Sequence, residues 1–136
     1  MQQTTEQLAA IRESGNLIVS AAAGAGKTMV LTERVAMRIT EGTEVPNILV
    51  LTFTRAAAAE MKARIRKRLT ELANEATDPK RRAYLKNQVR LVDGAYISTV
   101  HAFCARVLKR HYHVAGLSSD ARIADETETA VIIEQV

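Results

Sequence analysis

The residues best placed to do chemistry are Asn16-Leu17-Ile18-Val19-Ser20-Ala21-Ala22-Ala23-Gly24-Ala25-Gly26-Lys27-Thr28. A short apolar run ends in a loop of small residues, and a periodic, helix-like segment starts at Lys27. This is the strand–loop–helix setting of a phosphate-binding loop. Small residues let the backbone curl closely around phosphate oxygens. Loop N–H groups and the helix N-terminus then point at the anion. Lys27 can reach outer phosphates, and the Thr28 hydroxyl can ligate Mg²⁺. The strict pattern opens with glycine, and here that place holds Ala21, which costs conformational freedom if the turn needs positive φ. The bland alternative is a Gly/Ala-rich loop with a surface lysine.

Other reactive side chains lie further along. The Gln7 amide offers a donor and an acceptor, enough to read two adjacent adenine nitrogens. From its chemistry alone it reads more simply as a solvated glutamine. Phe53 stands at the carboxyl end of a predicted parallel strand, where open α/β sheets bind ligands. Exposed there it can stack on a base; buried, it is ordinary core. His101 sits near a second strand–helix junction, where a phosphate or base contact is credible. Cys104 follows it by three residues and reads as a small buried residue on an apolar face rather than a nucleophile. His101, His111 and His113 lack the paired carboxylates and spacing of a metal site.

The elements that must position these residues follow from periodicity. Residues 4–13 predict a short helix capped by Thr4 or Thr5, with Leu8 and Ile11 on one side. Leu17-Ile18-Val19 predicts a strand buried on both faces. Residues 27–40 predict a helix with a broad apolar face. Ile48–Leu51 predicts a second buried strand, and Thr54 caps a helix running to about Leu72, with Met61, Ile65 and Leu69 four apart. Residues 79–91 predict a basic helix with Tyr84, Leu85, Gln88 and Leu91 nearest an apolar stripe. Tyr96–Ser98 predicts a third strand, followed by a helix to about Tyr112. Asp125 can cap a last helix, with Glu128 as its box partner.

Length and charge bound the rest. The chain has 136 residues, 47% of them apolar, with a net charge of +4. One cysteine excludes an internal disulfide. No apolar run reaches a membrane span and no signal-peptide pattern opens the chain, so cytoplasmic location, away from membranes, is the expectation. Residues 55–90 hold eleven basic side chains against four acidic ones. Residues 114–136 hold one against five. The middle third is therefore a candidate polyanion surface, its helices over residues 62–90 facing a phosphate backbone through residues such as Arg64, Arg66 and Lys67.

These landmarks together resemble the amino-terminal part of superfamily 1 DNA helicases of the UvrD/Rep type, and within them the AddA-like helicase–nucleases of bacterial double-strand-break repair. Four stretches carry the resemblance. Thr5-Glu6-Gln7 is similar to the family's adenine-reading glutamine motif, and Ala21–Thr28 to its Walker A motif. Thr52-Phe53-Thr54-Arg55-Ala56-Ala57-Ala58-Ala59-Glu60-Met61 is similar to motif Ia. Ile97-Ser98-Thr99-Val100-His101-Ala102-Phe103-Cys104 is similar to the single-strand-contacting motif after it. Arg122–Glu128 is similar to the passage leading into the inserted 1B subdomain.

The resemblance implies an α/β, RecA-like P-loop NTPase fold: a three-layer sandwich with a partial parallel sheet, ending before the Walker B strand. Residues 1–113 would be part of domain 1A, and residues 114–136 a linker and first helix toward 1B. ATP and Mg²⁺ are the implied cofactors, held by Gln7, Ala21, Ala22, Ala23, Gly24, Ala25, Gly26, Lys27 and Thr28. Lys27 and Thr28 carry the catalytic roles, with Thr28 on the metal. Phe53, Thr54, Arg55, His101 and Phe103 would lie along single-stranded DNA. Arg55 stands where many relatives have asparagine. Implied partners are single- and double-stranded DNA and a second helicase–nuclease polypeptide.

No Asp-Glu pair follows an apolar strand after residue 104. Hydrolysis needs such a pair to hold Mg²⁺ and place water. These 136 residues are therefore expected to bind nucleotide without hydrolysing it, as part of a longer enzyme. The alternatives are a non-catalytic DNA-binding or regulatory module with a vestigial phosphate loop and, more remotely, a small nucleotide kinase.

Overall fold

Three runs of apolar side chains at helical spacing build the centre of the molecule. The computed structural model describes residues 3–22, 24–118, 120–122, 124, 128 and 133. Helix α1 spans Thr5–Arg12, α2 Lys27–Thr40, α3 Arg55–Glu75, α4 Pro79–Leu91 and α5 Val100–Arg110. Strand β1 is Leu49–Thr52 and β2 Tyr96–Thr99. Single 3₁₀ turns, Val45–Asn47 and Val92–Gly94, lead into the strands. The chain divides into two compact units, Met1–Ser98 and Thr99–Val136.

On α3, Met61, Ile65, Leu69 and Ala73 are buried at a strict four-residue spacing. This one stripe packs against α2 on one side and α4 on the other. Ala73 extends the predicted stripe by a turn, so α3 runs past Leu72 to Glu75. The Thr54 hydroxyl starts the helix by accepting the Ala57 N–H at 3.1 Å. Asp78 caps α4 from the Lys80 and Arg81 N–H groups, with Pro79 at the first helical position. Gln88 is fully buried on α4, and its Oε1 accepts the Val45 N–H at 2.9 Å. That bond ties α4 to the turn before β1.

The α3–α4 crossover returns the chain to lay β2 parallel to β1 in a two-stranded sheet. The result is an α/β fold with a small parallel sheet, as in part of a RecA-like P-loop domain. Val50 and Ile97 point into the core with Ile39, Ile65 and Leu85. Leu49 and Leu51 point the other way and are 46% and 43% exposed. β1 is therefore buried on one face, not on both as its unbroken apolarity predicts.

A second correction concerns residues 17–19. They form no strand, and Ile18 is 98% exposed. Apolar character alone does not make a strand, because a parallel strand needs a ladder partner. Among the described residues β1 and β2 pair only with each other.

In the second unit, Thr99 caps α5 by accepting the Ala102 N–H. No α5 side chain is buried among the described residues. Cys104 is exposed rather than buried, because none of the described residues covers its face of α5. The expected cap at Asp125 lies outside the described residues; Arg122 pairs with Glu128.

Candidate functional site

Helix α1 begins with reciprocal capping. The Thr4 hydroxyl accepts the Gln7 N–H, and Gln7 Oε1 accepts the Thr4 N–H at 3.0 Å. The same glutamine reaches across to the glycine-rich loop, where its Nε2 donates to the Ala25 carbonyl at 3.2 Å. Gln7 is thus a docked residue rather than a freely solvated one.

The loop needs its glycines. Gly24 and Gly26 sit at φ +79° and +82°, in the left-handed region. A Cβ on Gly26 would also lie 3.1 Å from Gln7 Nε2. Ala21 carries no such demand, since no described non-glycine residue has positive φ. Alanine at the loop's first position therefore costs nothing in backbone strain. Ala23 lies outside the described residues.

Helix α2 starts at Lys27 directly after Gly26. Lys27 Nζ folds back and donates to the Ala21 and Ala22 carbonyls at 2.6 and 2.8 Å. An ammonium has three N–H donors, so one remains for an anion at the loop. Thr28 is exposed at the second position of α2. A cleft of about 820 Å³ opens beside the loop, lined among others by Gln7, Leu17, Ala21, Ala25, Lys27 and Arg34.

Arg34 and Arg38 are the residues that sequence reasoning missed. Arg34 Nη1 donates to the Ala10 and Glu13 carbonyls at 2.8 and 2.7 Å, and approaches Ile11 O at 3.4 Å. Arg38 Nη2 adds a second donor to Glu13 O at 2.7 Å. The visible signal was a short helix whose last carbonyls need donors from elsewhere. A second helix offers arginines one turn apart.

The structure gathers Gln7, Ala21, Ala22, Ala25, Gly26 and Lys27 within one hydrogen-bonded neighbourhood. The second group of candidates is spread over both units. Phe53 is fully exposed at the carboxyl end of β1, which removes the core reading of that side chain. Thr54 is engaged as the α3 cap, and Arg55 is exposed in the first turn of α3. His101, exposed, and Phe103, half-buried, belong to α5 in the second unit.

The basic middle third divides sharply. On α3, Arg64 pairs with Glu60 at 2.6 Å, and Arg66 with Asp93. Lys62 donates to the Asp93 carbonyl. Arg68 meets Glu33 at 2.9 Å and Glu71 at 3.5 Å. Burial works against the Arg68 charge, but Glu33, Glu71 and Glu75 outweigh it and raise its pKa. Arg64 and Arg66 thus already have acidic partners, in solvent-exposed pairs. Lys67 is exposed and makes no ion pair with the described residues. On α4, Lys80, Arg81, Lys86 and Arg90 are likewise exposed, with no ion pair to the described residues. No described helix is long and apolar enough to cross a membrane.

Comparison with known proteins places this geometry in a family. The profile of the UvrD/REP helicase N-terminal domain matches residues 3–136. The chain is 48% identical over 137 residues to the A subunit of the ATP-dependent helicase/nuclease of Lactobacillus acidophilus, covering 98% of the chain and 11% of that protein. It is 47% identical over 133 residues to the protein of the same name from Pelotomaculum thermopropionicum, covering 95% and 10%. To that of Pediococcus pentosaceus it is 43% identical over 134 residues, covering 98% and 11%. The chain thus spans about a tenth of the length of these relatives. It belongs to the UvrD/REP helicase N-terminal domain family, with close relatives among the AddA-like helicase/nucleases.

Proposed function

We propose that these residues are the nucleotide-binding part of an ATP-dependent helicase–nuclease that moves along single-stranded DNA, unwinds duplex and serves double-strand-break repair beside a second polypeptide. The observation that carries this reading is the loop itself. Two left-handed glycines and a lysine folded over two loop carbonyls end at the N-terminus of α2. These residues fit a nucleotide triphosphate with Mg²⁺. Residues 22 and 24–26 would present backbone N–H groups, and Lys27 its remaining donor, to the outer phosphates. Thr28 would be the protein's ligand to the metal. Bound Mg²⁺ would offset charge on the β- and γ-phosphates. Gln7 keeps one amide hydrogen and one acceptor lone pair beyond its bonds to Ala25 and Thr4, a complement to adenine.

The DNA side rests on Phe53, whose exposed ring suits sequence-tolerant stacking on bases. Arg55, at the start of α3, adds a cation beside it. His101 and Phe103 are separate single-strand candidates within the second unit, and Lys67, Lys80, Arg81, Lys86 and Arg90 are exposed cations of the first unit suited to a phosphate backbone. Residues 1–136 hold no acidic pair after an apolar strand. Alone they bind nucleotide without turnover, and hydrolysis belongs to the longer protein.

Calorimetric titration of Mg-ATP into the folded chain tests the reading. Saturable binding is expected, weakened about 100-fold or more by Lys27→Ala, equivalent to about 2.7 kcal/mol. Equal binding by both proteins, or by neither, ends it.

A further inference from the structure

We propose that Arg34 is a positioning residue for purine recognition: it holds α1 so that Gln7 meets the base. The inference rests on the reading of the loop as a nucleotide site and names the device that makes that site selective.

Helix α1 has eight residues, and Ile11 is its one buried side chain. A helix this short is marginal in water without outside support. Its position against α2 is therefore reinforced by polar tethers, from Gln7 to the loop and from Arg34 and Arg38 on α2. At the front, Gln7 Nε2 donates to Ala25 O. At the rear, Arg34 donates to the carbonyls of Ala10 and Glu13, two groups that the end of α1 leaves without helical partners. A planar guanidinium can serve several carbonyls at once, which an ammonium does less well. The positive charge also suits the negative end of the helix.

Arg34 lies seven residues after Lys27 on the same helix. At 1.5 Å per residue, the phosphate-side lysine and the clamp on α1 are about 10 Å apart along one rigid rod. α2 thus fixes Gln7 relative to Lys27, and with it the distance between base reader and phosphate binder. Arg34 itself lines the cleft beside the loop. Its loss leaves Lys27, Gly24 and Gly26 in place but strips the Ala10 carbonyl of its donor and leaves the Arg38–Glu13 bond as the remaining arginine tether at the rear of α1. The effect should fall on the base and not on the phosphates.

The test compares ATP, CTP and inorganic tripolyphosphate as ligands, each with Mg²⁺, for the full chain and its Arg34 variants. The unmodified chain is expected to prefer ATP over CTP by about tenfold. In Arg34→Ala that ratio should approach one, as in Gln7→Ala, with tripolyphosphate affinity within about twofold. Arg34→Lys should lie between and carries the test if Arg34→Ala does not fold, with circular dichroism as the check. An unchanged ATP:CTP ratio in the variants overturns the inference, as does an equal loss for ATP and tripolyphosphate. A chain that binds tripolyphosphate through Lys27 but treats ATP and CTP alike overturns this inference alone. Absence of any Lys27-dependent binding overturns the nucleotide reading and this inference with it.

Discussion

Two regions of the first unit are held by different forces. Around α3, Ile39, Ile65, Leu69, Leu85 and Val92 are each less than 2% exposed. Position there is set by apolar area, at about 1.5–3 kcal/mol per fully buried large side chain. The described residues between 13 and 26, by contrast, are nearly all exposed, and Ile18 is bare. Their order comes from a few named hydrogen bonds: Gln7 to Ala25, Lys27 to Ala21 and Ala22, Arg34 and Arg38 to the end of α1. A packed core is rigid but closed to ligands. A polar-tethered loop leaves donors and space for one, at the cost of needing every tether.

The contrast can be broken most forcefully from the core side. Leu69→Ala is expected to destabilise the chain by about 2–5 kcal/mol in urea unfolding, since the site is walled by helices that cannot collapse into the gap. A loss below about 1 kcal/mol would mean that α3 is not the keystone. Gly26→Ala sharpens the other side. It introduces left-handed strain of about 1–2 kcal/mol and a methyl group close to Gln7. Mg-ATP affinity should fall about tenfold while the urea midpoint hardly moves. A matching fall in the midpoint would make the loop part of the cooperative core.

The smallest effect probes the boundary of the core. Tyr84 donates its hydroxyl to the Ile39 carbonyl at 3.0 Å. Burial, and secondarily the charge of Glu44, raise the phenol above its usual value of about 10. A raised acid favours the folded state only while it is protonated. Its contribution is complete below pH 10 and is lost as pH rises through the folded value. Tyr84→Phe should cost about 1 kcal/mol near neutrality and flatten the alkaline limb of the stability curve. An alkaline limb identical to that of the parent would place the titration elsewhere.

Local periodicity made much of this legible in advance. The four-residue spacing from Met61 to Leu69 marked α3, and Thr54 and Pro79 marked helix starts. Gly24 to Thr28 marked the loop, because only a few residue types suit a backbone wrapped around an anion. The misses depend on partners distant in sequence. Whether Leu17-Ile18-Val19 or Leu49 is covered depends on which strand lies alongside, and apolar composition does not say. Whether Arg66 is free depends on Asp93, 27 residues away. The role of Arg34 is invisible until α1 is laid against α2.

The arrangement also orders events during synthesis. A nascent chain leaves the ribosome from its amino end, so α1, the loop and α2 emerge before residues 55–91. Yet the core that buries Val35 and Ile39 is closed by α3 and α4, two adjacent antiparallel helices joined by residues 76–78. Such local pairing forms quickly once both helices are out. The apolar run at residues 17–19 precedes that core in the chain and remains exposed once the core has formed. An uncovered apolar run of this kind is a point of aggregation risk while the chain is incompletely folded.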